Sequence, residues 1–134
     1  MTRSADDKAA RFAESAPLRM VLPWPPPQLS PNTRQHWTKL AKAKAAYREQ
    51  CATTTRCDAP SWIVPPGDLH LTLAFCPPAN RRYDRDNLLA RMKSGLDGVC
   101  DALGFDDSRI EVITLRSLPS KGKPGHVELT LATA

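Results

Sequence analysis

No run of eighteen apolar residues occurs anywhere in the 134-residue chain, so no segment is expected to cross a membrane as a helix. The opening stretch from Met1 to Lys8 carries charges where a secretory leader would need an apolar run. The four cysteines (Cys51, Cys57, Cys76, Cys100) form no Cys-x-x-Cys pair, and His36, His70 and His126 are scattered. That spacing excludes a structural zinc site and predicts reduced, mostly buried thiols in a cytoplasmic protein. No basic helix backed by bulky apolar residues points to a membrane surface as partner. Neither an internal repeat nor a second domain is discernible. The expected organisation is a flexible tail over residues 1–16 and one domain over 17–134.

What is present is a basic chain with one acidic window. The net charge is +5 and the pI about 9.3, which favours an anionic partner. Between Asp84 and Glu111, however, seven acidic residues stand against four basic ones. Carboxylates grouped inside a basic protein suggest ligands for a hard cation, surrounded by side chains that grip phosphate.

Alternation and three-to-four spacing place the elements around that window. Leu18–Trp24 reads as a strand, halted by Pro25-Pro26-Pro27 and followed by an extended loop to about Gln35. From Trp37 to about Thr55 the pattern is helical. Leu40, Ala43 or Lys44, Tyr47 and Cys51 fall at that spacing, with Lys39, Lys42, Lys44 and Arg48 crowding the remaining face. That basic face is either a solvated surface or a phosphate-contacting one. Leu69–Phe75 alternates as a strand, and a second helix runs from about Asn87 to Leu103, stopped by Gly104. Ile110–Leu118 and Val127–Leu131 read as strands joined by a turn that carries Lys121 and Lys123. The order β-α-β-α-β-β predicts an α/β (α+β) domain, a mixed sheet with two helices.

At 100° per residue, Leu88, Met92, Leu96, Val99 and Leu103 of the second helix form the expected core stripe. Asp86, Lys93 and Asp97 gather on a separate polar line. Asp84 lies two residues before Asp86, a spacing that puts both on one side of an extended segment. Mg²⁺ is usually held by a few carboxylates, water and substrate phosphate, and a nearby lysine can stabilise charge developing on the phosphate. Arg81, Arg82 and Arg85 flank these carboxylates as candidate phosphate contacts. Each feature also has a plainer explanation. Asp84 or Asp86 could cap the helix, Lys93 and Asp97 could form a surface pair, and Asp106-Asp107 could be turn residues.

Four pieces of the chain together resemble the RusA family of Holliday-junction resolvases. They are Leu-Pro-Trp-Pro-Pro (Leu22–Pro26), Arg-Arg-Tyr-Asp-Arg-Asp-Asn-Leu (Arg81–Leu88), Lys-Ser-Gly-Leu-Asp-Gly (Lys93–Gly98) and Gly-Phe-Asp-Asp-Ser-Arg-Ile (Gly104–Ile110). A basic turn leading into Glu128–Thr130 also fits. The resemblance implies a bacterial or phage-encoded homodimer that acts inside the host cell. It implies cleavage of four-way DNA junctions with Mg²⁺, Mn²⁺ being a substitute, in DNA recombination and repair. Carried over, Asp84, Asp86 and Asp107 would be metal ligands and, with Lys93, catalytic, while Asp106 is a fallback for Asp107. Matching Lys93 to the family's lysine takes a three-residue insertion, because the family's shorter spacing falls on Ala90. The Lys-x-x-x-Asp spacing to Asp97 supports Lys93.

Two other functions fit part of this pattern. Haloacid-dehalogenase-like phosphatases also use Asp-x-Asp, but directly at a strand end, whereas a linker with Pro77 and Pro78 separates Phe75 from Asp84. A non-catalytic DNA-binding module would explain the basic charge but not carboxylates grouped where DNA would approach.

Overall fold

A computed structural model describes residues 16–134. The tail expected over residues 1–16 therefore lies, apart from Ala16, outside the described residues. Four strands and two helices follow in the expected order: β1 (Leu18–Pro23), α1 (Trp37–Asp58), β2 (Leu69–Cys76), α2 (Arg85–Leu103), β3 (Ile110–Ser117) and β4 (His126–Thr133). The strands form one mixed sheet in the order β1-β4-β2-β3. β4 runs antiparallel to both β1 and β2, while β2 and β3 are parallel. The fold is α+β.

Alternation explains why the sheet has one dry face. Leu18, Met20 and Leu22 of β1 are buried, as are Leu69, Leu71, Leu73 and Phe75 of β2 and Val127, Leu129 and Leu131 of β4. These pack as one core with Tyr47 and Cys51 of α1 and Leu88, Met92 and Val99 of α2. The intervening residues Arg19, Val21, Thr72, Glu128 and Thr130 are half-buried or exposed, so most of the other face meets solvent, Ala74 and Cys76 at the end of β2 being covered. β4 is longer than its apolar alternation suggested, because pairing on both sides extends it from His126 to Thr133. Leu29 enters the core from a short 3₁₀ turn (Pro27–Leu29) that the run of prolines obscured.

The helices meet where α2 has glycine. A Cβ on Gly98 would lie 2.1 Å from the Arg48 carbonyl oxygen, and one on Gly95 would lie 2.4 Å from the Tyr47 ring. The α2 backbone thus approaches α1 more closely than any side chain would permit. Beside this contact the Tyr47 hydroxyl donates to the Pro23 carbonyl at 2.7 Å, and exposed Arg48 forms a two-pronged pair with Asp101 at 2.7 and 3.0 Å. Leu96 and Leu103, expected in the core stripe, are only half-buried. The close contact turns the glycine edge of α2 toward α1, and the stripe shifts with it. α2 ends at Gly104, whose φ of 76° closes the helix in the left-handed region.

All four cysteines are free, with Cys51, Cys76 and Cys100 buried and Cys57 exposed. Burial pushes the thiols of Cys51 up to about 11 and Cys100 up to about 12. Since the thiolate is the reactive form, one thiol per chain, Cys57, should react quickly with a disulfide reagent at pH 8. The remaining three should react only on unfolding, and Cys57→Ser should remove the fast phase. Replacing Gly98 with Ala forces overpacking against backbone, and a loss of about 1–3 kcal/mol is expected. It should appear as a lower urea midpoint at unchanged slope.

Candidate active site

The acidic window converges on the amino-terminal end of α2. Asp84 is the N-cap residue, its carboxylate accepting the Asp86 backbone N–H at 2.9 Å. That cap starts the helix at Arg85 instead of near Asn87. Asp84 and Asp86 are therefore not neighbours on one extended segment. Asp86 stands in the first helical turn, where its charge is favoured by the positive end of the helix. The Asn87 side-chain oxygen accepts from the Ser30 hydroxyl at 3.2 Å, tying the proline-rich loop to this end of α2.

Two cavities open from this point. The first, about 370 Å³, runs between α2 and the β3 edge of the sheet, and Asp86, Lys93, Asp97 and Asp107 line it over apolar Leu89, Leu96, Ile110 and Ile113. Asp107 reaches it from a 3₁₀ turn (Asp107–Arg109) anchored by the Arg109 guanidinium, which donates to the Pro65 and Gly67 carbonyls. Asp106, the fallback, is committed elsewhere. It accepts the Ser108 N–H at 2.9 Å, and that bond is the first cause holding its carboxyl below the ordinary range. Burial first, then the negative charge of Asp107 and Asp97, raises the Cys100 thiol behind this groove. The described residues contain three ion pairs, and none includes Lys93 or Asp97, so the surface pair proposed for them is not formed.

The second cavity, about 890 Å³, lies at the carboxyl ends of the parallel strands β2 and β3. Arg81, Arg82 and Arg85 line it with Asp84, Asp86, Trp24, Tyr83 and the segment Ser117–Ser120. Such a place, outside strand carboxyl ends and beside a helix amino terminus, is where open α/β sheets commonly bind ligands. Asp86 lines both cavities. Lys121 and Lys123 line neither. They are exposed on the β3–β4 turn, directly after Ser120 on the rim.

The expected three-carboxylate set is thus only partly assembled. Asp86 and Asp107 share a groove with Lys93, while Asp84 caps α2 and lines the larger cavity with Asp86. Among the described residues, no three Asp, Glu, His or Cys side chains gather tightly enough to hold a metal ion by themselves. Mg²⁺, however, is commonly bound through one or two carboxylates, water and substrate phosphate and not in an all-protein cage. Asp86 and Asp107 fit that donor chemistry.

Sequence reasoning missed the aromatic wall of the larger cavity. The Trp24 ring meets Tyr83 edge-on at 5.5 Å and Phe75 at 6.2 Å, and the Arg81 guanidinium lies 4.5 Å from the Tyr83 ring centre. Behind Trp24 sits Arg91, only 8% exposed, its guanidinium 5.8 Å from the indole and donating to the Pro25 carbonyl at 2.5 Å. Burial holds Arg91 below its ordinary value, and its Nε has no hydrogen-bond partner among the described residues. Trp24 and Tyr83 both stand inside the quoted motifs. Trp24 stands among prolines and Tyr83 among charged residues, so neither belongs to a periodic apolar pattern, and Arg91 sits between core positions of a helix where a solvated arginine is the usual expectation.

No protein-family profile matches the chain. An uncharacterized protein of Xylella fastidiosa (strain Temecula1 / ATCC 700964) is 44% identical over 92 residues, which is 67% of this chain. This chain spans 60% of that relative's length. Among the described residues, no helix is long and apolar enough to cross a membrane.

The cap and the charge of Asp84 can be separated by substitution. Asp84→Ala should cost about 1 kcal/mol of stability, whereas Asp84→Asn, an equally good N-cap, should melt within a degree or two of the parent. Thermal unfolding by circular dichroism measures both.

Proposed function

We propose that this chain is a metal-dependent endodeoxyribonuclease of the junction-resolving, RusA-like type, cutting phosphodiester bonds in four-way DNA. One observation carries the reading: Asp86, Lys93 and Asp107 line a single groove that meets an arginine-lined cleft at Asp86. Carboxylates alone would repel a phosphodiester, and arginines alone would bind it without breaking it. Side by side, they suit holding DNA and hydrolysing it.

Arg82 and Arg85 grip phosphates flanking the scissile one, and Lys121 and Lys123 on the adjoining turn extend this contact along the backbone. Asp86 and Asp107 would hold Mg²⁺ or Mn²⁺. When bound, the ion supplies charge neutralisation at the phosphoryl oxygens and an acidified water. Lys93, on the same groove, stabilises negative charge as it develops on the phosphate or the leaving oxygen. The apolar groove floor limits water around that charge and strengthens the interaction. A homodimer would carry two such sites related by the two-fold symmetry that a four-way junction also possesses.

The test is cleavage of a labelled four-way junction beside a linear duplex of the same sequence, with Mg²⁺ and then with chelator. Paired nicks in the junction are expected, and both Asp86→Asn and Lys93→Met should slow them by roughly a hundredfold or more at unchanged junction affinity. Junction binding without cleavage under any divalent ion would leave a non-catalytic DNA-binding module.

A further inference from the structure

The larger cleft contains more than a phosphate clamp needs. Phosphate recognition requires N–H groups pointing at oxygen, and exposed lysines or arginines supply these without aromatic support. Here four side chains form a continuous line of contacts instead. Arg91 backs Trp24, Trp24 abuts Tyr83, and Tyr83 carries the Arg81 guanidinium on its ring. The line is closed at its inner end, where Arg91 is buried, and open at its outer end, where Arg81 is exposed. No carboxylate holds Arg81 among the ion pairs of the described residues, so the tyrosine ring orients it. The result is a flat cationic plane at the wall of a cavity whose 890 Å³ lies within the usual range for small-ligand sites, roughly 300–1,000 Å³.

We propose that the Arg81–Tyr83 layer is a subsite for one unpaired nucleobase, which stacks on the outer face of the guanidinium while Arg82 and Arg85 hold its phosphates. This rests on the nuclease reading above and deepens it by naming what the cleft recognises. A base inside a duplex has both faces covered by its neighbours. Only an extruded or branch-point base has a free face, and bases stack readily on arginine planes and aromatic rings. Because every base has such a face, the subsite selects an unpaired nucleotide and not a sequence. It therefore favours branched or distorted DNA over linear duplex.

The experiment compares two DNA duplexes with chelator present so that neither is cut. One has a single bulged adenosine, and the other has an abasic residue at the bulge. Fluorescence anisotropy should give the parent protein roughly tenfold tighter binding to the bulged base. Arg81→Lys keeps the charge but not the plane, and should bring that ratio close to one. Tyr83→Leu, checked for folding by circular dichroism, should do the same by removing the support. A parent ratio of one, or a tenfold ratio that survives in Arg81→Lys, would overturn the subsite. Junction cleavage with Mg²⁺ is read separately. Cleavage with a base ratio of one removes the subsite and leaves the nuclease, whereas a tenfold ratio without cleavage keeps the subsite and removes the nuclease.

Discussion

The approach of α2 to α1 at Gly95 and Gly98 sets the rotation of α2 about its own axis, and the rest of the molecule depends on that angle. With the Gly98 α-carbon seated against the Arg48 carbonyl and the Tyr47 ring laid over Gly95, only one edge of α2 can face α1. A helix held at that angle must direct Leu88, Met92 and Val99 into the sheet, and Asp86, Lys93 and Asp97 into the groove beside β3. A cation and carboxylates spaced along a helix become a shared lining only because a backbone contact on another edge prevents the helix from rolling. Packed interiors resist such rolling because each side chain already fills the space it occupies.

The amino terminus of α2 joins packing to electrostatics. Asp84 satisfies a backbone N–H that would otherwise be unpaired, and in doing so it leaves Asp86 as the carboxylate shared by both cavities. Arginines crowd the loop before the cap, so positive and negative side chains alternate across a short distance at the strand ends. The buried Arg91 is the unusual element in that arrangement. It is held by one carbonyl and by the face of Trp24 and has no anionic partner among the described residues. Such a cation is costly to bury, and here its contacts with the Pro25 carbonyl and the Trp24 ring offset part of that cost.

Much of the architecture could be read from the chain before any coordinates. Leu-Arg-Met-Val-Leu and Leu-His-Leu-Thr-Leu-Ala-Phe alternate with the period of a strand, and Gly104 marks the end of α2 by the conformation that only glycine adopts cheaply. The order of elements and the α+β class followed from such local signals. Less was legible at the site. The spacing of Asp86, Lys93 and Asp97 was enough to place them on one helical line, yet which backbone N–H Asp84 and Asp106 each accept is visible only in the folded chain. Leu96 counted as core by periodicity, yet the rotation of α2 places it beside an open groove, where it is half-buried.

What the sequence determined by itself is what repeats over a few residues: strand and helix periods, the proline-imposed loop, the glycine stop and the clustering of opposite charges along the chain. Local sterics and hydrogen bonding decide these, and they act between near neighbours. The tertiary structure alone decided which distant residues meet. Trp24 joins Tyr83 and Arg91, Asp107 joins Asp86 and Lys93, and Arg48 reaches Asp101. Those meetings depend on the strand order β1-β4-β2-β3 and on the rotation of α2. Both are set by burying one continuous apolar surface, a property of the whole chain that no local window contains.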